Sequence, residues 1–270
     1  YKAEDDWGES YYFRGAVTNN WVKFAGFYWR IIRINGDGSI RLIYNGTSTA
    51  TTGDSTMINS SQAFNSSYDR SEYVGYMYTT GQQHGNTTNG SIKEVIDNWY
   101  NSNLASYADK ISKEAGFCGD REVESGYSWS NHPSITVYYA SRVRLSTNKV
   151  PTLKCSNSSD LYTISSSSKG NKALTNPIGL ISADESAMAG GVYGSNNTGY
   201  YLYTGEAYWT ISPSYFDSVS GVANVFYVDS DGDLGWGYMF GTIGVRPVIN
   251  IASDAEIKSG NGTIAAPYEI

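Results

Sequence analysis

The chain has 270 residues, 40% of them apolar, enough to bury a core as one large domain or two small ones. Its 19 basic and 26 acidic residues leave a net charge of −7, which opposes bulk electrostatic attraction to nucleic acid or anionic lipid. Only 17% of residues are charged, and 24 Tyr and 7 Trp stand among abundant Ser, Thr, Asn and Gly, a composition shared by exported proteins and by binding loops.

Residues 27–34 and 39–44 predict a hairpin around Asn35-Gly-Asp-Gly38, a strong turn signal. Residues 45–90 are polar and predict loops with one short strand. Residues 92–107 carry Ile92, Val95, Ile96, Trp99, Tyr100, Leu104 and Tyr107 at helical spacing. Ser91 is the expected N-cap and Glu94 its capping-box partner. Residues 135–145 read as strand-like, and 156–172 as a polar surface loop. A second helix is expected at 183–189, opened by the capping box Ser182-Ala-Asp-Glu185 and stopped by Gly190-Gly191. From residue 200 the pattern is short strands and turns. Strands, helix, irregular middle, helix, strands is an α+β order. The strand-like segments 11–17 and 245–251 are expected to share a sheet.

No linker divides the chain, so one domain over 1–270 is expected. No apolar run approaches the ~20 residues that span a bilayer, and no membrane insertion by this segment is expected. The sequence starts at Tyr1 rather than Met, and its close, Gly260-Asn-Gly-Thr-Ile-Ala-Ala-Pro-Tyr268, reads as the exit of one module into another. The expectation is a piece excised from a longer exported protein. The two cysteines, Cys118 and Cys155, lack neighbouring His and make a poor metal site. In an exported chain such a pair is expected to be a disulfide.

Catalytic signatures are sparse. The only histidines are His84 and His132, both in polar loops, and there is no Gly-x-Ser-x-Gly elbow. The acidic pairs Asp5/Asp6, Asp184/Glu185 and Asp231/Asp233 offer carboxylates for acid/base work, but solvated or capping roles explain them as well. Asp229, Asp231 and Asp233 alternate as calcium ligands do, yet the full EF-hand pattern is absent and an Asp-Gly turn accounts for the same residues. The expectation is no cofactor, with calcium as the alternative. Arg246 is expected in a structural pair or backbone contact, and Trp209 in the core.

The segment from Tyr208-Trp-Thr-Ile-Ser-Pro-Ser214 to Gly244-Val-Arg-Pro-Val-Ile-Asn250 carries a resemblance. Together with Tyr12-Phe-Arg-Gly15, Phe27-Tyr-Trp-Arg30, Gly116-Phe-Cys-Gly-Asp-Arg121, Leu153-Lys-Cys-Ser156 and Ile181-Ser-Ala-Asp-Glu185, it resembles a widespread bacterial family of surface-protein domains. That family is similar to C-type lectin-fold proteins, among them the variable proteins of diversity-generating retroelements and the formylglycine-generating enzymes. The enzymes depend on cysteines in the C-terminal part of the fold, and this chain has none after Cys155.

The resemblance implies a C-type lectin-like α+β domain with mixed and antiparallel sheets, two main helices and long polar loops. It implies an adhesin-like module on the bacterial cell surface that binds a protein or glycan without catalysis. The face carried over from the variable proteins comprises Tyr215, Phe216, Asp217, Ser218, Ser220, Tyr227, Asp229, Asp231, Asp233, Trp236, Tyr238 and Phe240. Trp236, Tyr238 and Phe240 share one parity, so a strand there would place all three rings on one face. Two other readings remain: a carbohydrate-acting hydrolase with an unrecognised carboxylate pair, and a structural surface or pilus module.

Overall fold

The computed structural model describes residues 1–270 as an α+β fold with three helices and several antiparallel and mixed sheets. The predicted hairpin is its centre. Strand Phe27–Ile34 pairs with Ile40–Gly46, closing at Ile34 opposite Ile40. Gly38 takes a φ of 84°, which a side-chain-bearing residue resists. Apolar residues fill both strands because both faces are covered, and Trp29, Leu42 and Ile43 are fully buried.

Six strands run across the first sheet in the order Lys2–Asp5, Gly8–Tyr12, Phe27–Ile34, Ile40–Gly46, Val248–Ile251 and Ile178–Gly179. Residues from 11–17 and from 245–251 thus share a sheet, two strands apart, as expected. Trp21–Phe24 also pairs with Phe27–Ile34, and Tyr268–Glu269 adds to it in parallel. The second sheet runs Leu234–Tyr238, Val222–Val228, Tyr208–Asp217, Thr242–Val245 and Asn59–Ala63. Val137–Tyr138 joins it through Tyr215 and Phe216.

Helix α1, Ser91–Asn103, buries Ile92, Ile96 and Tyr100 in the main core. Its cap differs from the expected one. The N-cap is Gly90, with no side-chain cap, because the Ser91 hydroxyl instead accepts from the Ser66 amide at 3.1 Å. The helix also stops early: Leu104 caps it, and Ala105–Tyr107 forms a separate tight turn. Helix α3, Ala183–Ala189, has the full capping box: Ser182 Oγ accepts from the Glu185 amide and Glu185 accepts from the Ser182 amide.

Three further expectations are corrected. Residues 135–145 are strand only at Val137–Tyr138; the chain then turns into helix α2, Ala140–Val143, fixed where the Ser141 hydroxyl donates to the Pro213 carbonyl at 2.5 Å. Residues 45–90 hold three short strands, Asn59–Ala63, Met77–Tyr78 and Thr88–Asn89, because Phe64, Val74 and Tyr76 reach the core and pull their neighbours into ladders. Residues 156–172 are no simple surface loop. Asp160, Leu161, Tyr162 and Thr163 are buried there, and Leu161–Tyr162 pairs with Phe117–Cys118. Cys118 and Cys155 form the expected disulfide. No helix is long and apolar enough to cross a membrane.

Charge burial organises the middle of the chain. Arg33 and Arg41 sit directly opposite each other in the central hairpin, a pairing that repels. Glu185 of α3 lies between them, with one carboxylate oxygen 2.9 Å from Arg33 Nε and 2.6 Å from Arg41 Nε. Arg121 likewise binds buried Asp160, Nε to Oδ1 at 2.8 Å. Burial alone would raise both carboxyls; for Glu185 the charges of Arg41 and Arg33 overcome it and hold the group below its usual range. For Asp160 the His84 hydrogen bond and the Arg121 charge do the same. A carboxyl depressed in the folded state stabilises above its unfolded pKa, and the contribution is lost as pH falls through the folded value. Asp6 has the opposite sign, since desolvation raises it and acidification relieves its penalty. The melting temperature should therefore hold at neutral pH and fall below about pH 4, with Asp160→Asn flattening the acid limb. An acid limb unchanged in that variant would remove Asp160 from the account.

Candidate ligand-binding face

The face is built on the Leu234–Tyr238 strand, which lies at the edge of the second sheet. Its sequence Leu-Gly-Trp-Gly-Tyr separates two surfaces. Gly235 and Gly237 leave room for the Tyr227 ring, whose atoms lie 3.0 Å and 3.2 Å from where a Cβ would stand. Trp236 and Tyr238 therefore project to the opposite side, opposite Phe226 and Asn224 in register. Tyr215 lies across from Asn224 on the third strand and meets Trp236 edge-on at 4.8 Å. Register shifts around Pro213, which has no N–H to give the ladder, set Tyr215 into this position.

The rings differ in exposure. Tyr238 and Phe240 are each 43% exposed and stack on one another at 5.5 Å. Phe240 falls in the turn after the strand, so the shared parity holds for Trp236 and Tyr238 while Phe240 joins them by stacking. Tyr68, also exposed, closes the cluster 4.8 Å from Phe240. Trp236 is half-buried, packing on Phe226 and Leu234, and its indole N–H donates to the Tyr193 hydroxyl at 3.2 Å.

The carried-over residues do not all gather here. Phe216 is 2% exposed and belongs to the main core, because alternation turns it away from Tyr215; it is withdrawn as a contact residue. Tyr215 is itself largely covered, and burial, with the Asp217 charge, pushes its phenol up to about 12. Asp217, Ser218 and Ser220 form the turn near Tyr238, where Asp217 accepts from the Val219 amide and the Ser220 hydroxyl. Tyr227 is on the other face, half-buried beside Trp209, its hydroxyl 3.3 Å from Asp229. Asp229, Asp231 and Asp233 lie in the turn at the far end of the hairpin. Gly232 is required there, since a Cβ would come 1.9 Å from the Asn197 carbonyl oxygen. One oxygen from each of the three carboxylates lies within 4.8 Å of the others, an arrangement that exposed acidic turns also adopt without an ion.

Sequence reasoning missed Tyr68, Tyr138, Arg142 and Tyr193. The Arg142 guanidinium carbon lies 6.0 Å from the Tyr138 ring centre, 5.0 Å from Tyr193, 5.5 Å from Tyr215 and 5.1 Å from Trp236. Tyr138 and Arg142 are four apart, a spacing that would have joined them had 140–143 been read as a helical turn. Nothing in the sequence brings in Tyr193.

The acidic pairs have structural partners. A cavity of about 30 Å³ is lined by Asp6, Arg33, Arg41, Asp120, Asp184 and Glu185 among others. Arg144 clamps Asp184 bidentately at 2.8 and 2.7 Å and also binds Asp120. Asp5 is held by Arg33 and by the amides of Trp7, Gly8 and Gly36. Such a volume suits one or two waters rather than a sugar ring. His84 Nδ1 is bound to buried Asp160 at 3.0 Å, with no nucleophile bonded to the ring. Arg246 is buried and donates to the carbonyls of Tyr44 and Leu202 and to Asn45, as expected, and Trp209 is core. A second aromatic groove, about 360 Å³, lies on the first sheet between Tyr1, Tyr11, Tyr12, Phe13 and Ile34.

Comparisons with family models, with curated proteins and with solved structures find no match to this chain.

Proposed function

We propose that this domain is a non-enzymatic, adhesin-like binding module with a C-type lectin-like fold, displayed outside a bacterial cell. It recognises a protein or glycan through one face of its C-terminal sheet. The observation that carries this reading is the stacked pair Tyr238 and Phe240, with Tyr68 beside them, exposed at a sheet edge. Exposed rings grouped together disfavour solubility and persist mainly where a partner covers them. Tyr and Phe provide that contact area at a low entropic cost. The second aromatic groove also has an arginine, Arg14, but its guanidinium is engaged by the Ala187 and Met188 carbonyls, whereas no protein acceptor engages Arg142.

Support for a binding role over hydrolysis comes from the buried carboxylates Asp5, Asp120, Asp160, Asp184 and Glu185, which are engaged by Arg33, Arg41, Arg121 and Arg144. The contact set is Tyr68, Tyr215, Asp217, Ser218, Ser220, Trp236, Tyr238 and Phe240. The far turn and Tyr227 lie outside it.

Replacing Tyr238 and Phe240 together with Ser tests the reading. Both rings are exposed, so the melting temperature should move by no more than a few degrees. Binding of the labelled domain to a glycan array and to intact cells in flow cytometry should be lost. Trp236 is omitted because its half-buried indole would confound stability with binding. A double variant that binds as well as the parent would sink the assignment.

A further inference from the structure

Arg142 is the residue on this face without a structural explanation. Every other arginine with rings around it has an oxygen partner: Arg30 has Asn20, Arg41 has Glu185 and Arg246 has carbonyls. The Arg142 side chain has no hydrogen bond and no ion pair, although four rings surround it. Nη1 is sealed beneath those rings without an acceptor. Nε and Nη2 are not sealed, and no protein acceptor engages them. Leaving a guanidinium donor unpaired in a low-dielectric ring cage is unfavourable unless something completes it. The rings supply cation–π attraction and hold the fork rigid.

The space beside it is defined. A cavity of about 220 Å³ is lined by Tyr138, Arg142, Val143, Ser146 and Thr147. It is smaller than the several hundred Å³ of a drug-sized pocket, and so fits a single ring. Its walls combine an aromatic face, a guanidinium and two hydroxyls, of which Ser146 donates to the Arg142 carbonyl at 2.6 Å and so presents its lone pairs as acceptors. Those groups match a carboxylated sugar: ring C–H on Tyr138, carboxylate on the guanidinium, hydroxyls on Ser146 and Thr147. The net charge of −7 repels polyanions at long range, so an anionic group can be held here only by short-range, directional pairing. A planar carboxylate meets an arginine fork in that way, which a lysine cannot reproduce.

We infer that Arg142 and this cavity form a subsite for a carboxylated monosaccharide unit, a uronate or sialate, at the border of the ring cluster. The inference rests on the binding-face reading and gives it a ligand chemistry. The glycan's remaining residues would extend across Trp236 and Tyr238.

The test uses the whole domain, methyl glucuronide and N-acetylneuraminic acid as acidic probes, and methyl glucoside as the neutral one. Binding is followed by NMR through the indole N–H of Trp236, which contacts Tyr193 beside the guanidinium. An acidic probe should bind with Kd on the order of 1 mM and shift that resonance. The neutral probe should bind about tenfold more weakly or not at all. Arg142→Gln should reduce acidic-probe affinity about tenfold, and Arg142→Lys should recover only part of it. A melt of each variant confirms folding; should Arg142→Gln unfold, Ser146→Ala with Thr147→Ala tests the same cavity from its other wall.

Equal binding of acidic and neutral probes, or no effect of Arg142→Gln, overturns the carboxylate subsite. No binding of either acidic probe at 50-fold above about 1 mM overturns it too. Neither result touches the binding-face reading, which the Tyr238→Ser/Phe240→Ser variant tests on arrays and cells.

Discussion

Glu185→Ala is expected to destabilise the domain by about 3–5 kcal/mol. The substitution removes the one carboxylate between Arg33 and Arg41, which face each other across the central hairpin. Arg41 is 2% exposed, and burial already lowers it to about 10 with Glu185 beside it, so losing that carboxylate removes the main charge that supports the guanidinium. Two guanidiniums would then repel in a dry interior. The same change deletes half of the capping box that starts α3, a further ~1 kcal/mol. Chemical denaturation measures the loss. Because the effect is that of an uncompensated buried charge, adding Arg41→Met to Glu185→Leu should destabilise less than the two changes summed. Strict additivity in that cycle would show that the ion pair is not what holds the hairpin to α3.

Removing the disulfide, by Cys118→Ala with Cys155→Ala, should cost about 4 kcal/mol through the unfolded chain. The bridge spans a separation of 37 residues and ties the short Phe117–Cys118 strand to the segment leading into Asp160. Both sit on the Arg121–Asp160 pair, so loosening one end exposes a buried charge at the other. A melting temperature lowered by roughly ten degrees is expected for a chain of this size. A drop under two degrees, or free thiols in non-reduced protein mapped by mass spectrometry, would contradict it.

What the sequence made legible follows from how local each signal is. The 27–44 hairpin and the α3 capping box are specified within a few residues, and both formed as read. The Ser91 cap misled because a hydroxyl has several possible partners and Ser66, distant in sequence, took it. Residues 156–172 looked like surface because Ser and Lys dominate, while Asp160 and Tyr162 are held inside by Arg121 and by the Phe117–Cys118 strand. The ring face was partly legible: alternation placed Trp236 and Tyr238 together, but the same rule, applied to residues 215 and 216, should have excluded Phe216. Arg142 was invisible because its four rings come from residues 138, 193, 215 and 236, which only the folded chain assembles.

The order of strands in the first sheet constrains when the domain can fold. Ile40–Gly46 is paired on one side by the strand just before it and on the other by Val248–Ile251, about 200 positions later. Tyr268–Glu269 closes against Trp21–Phe24 at a still longer range. During synthesis the early hairpin therefore waits with an apolar edge unpaired until Val248–Ile251, in the last tenth of these 270 residues, has emerged. Folding should be slow and should be completed only once Val248–Ile251 is available, as high contact order dictates. Truncation before residue 248 should leave a chain that aggregates through that open edge rather than a smaller stable domain.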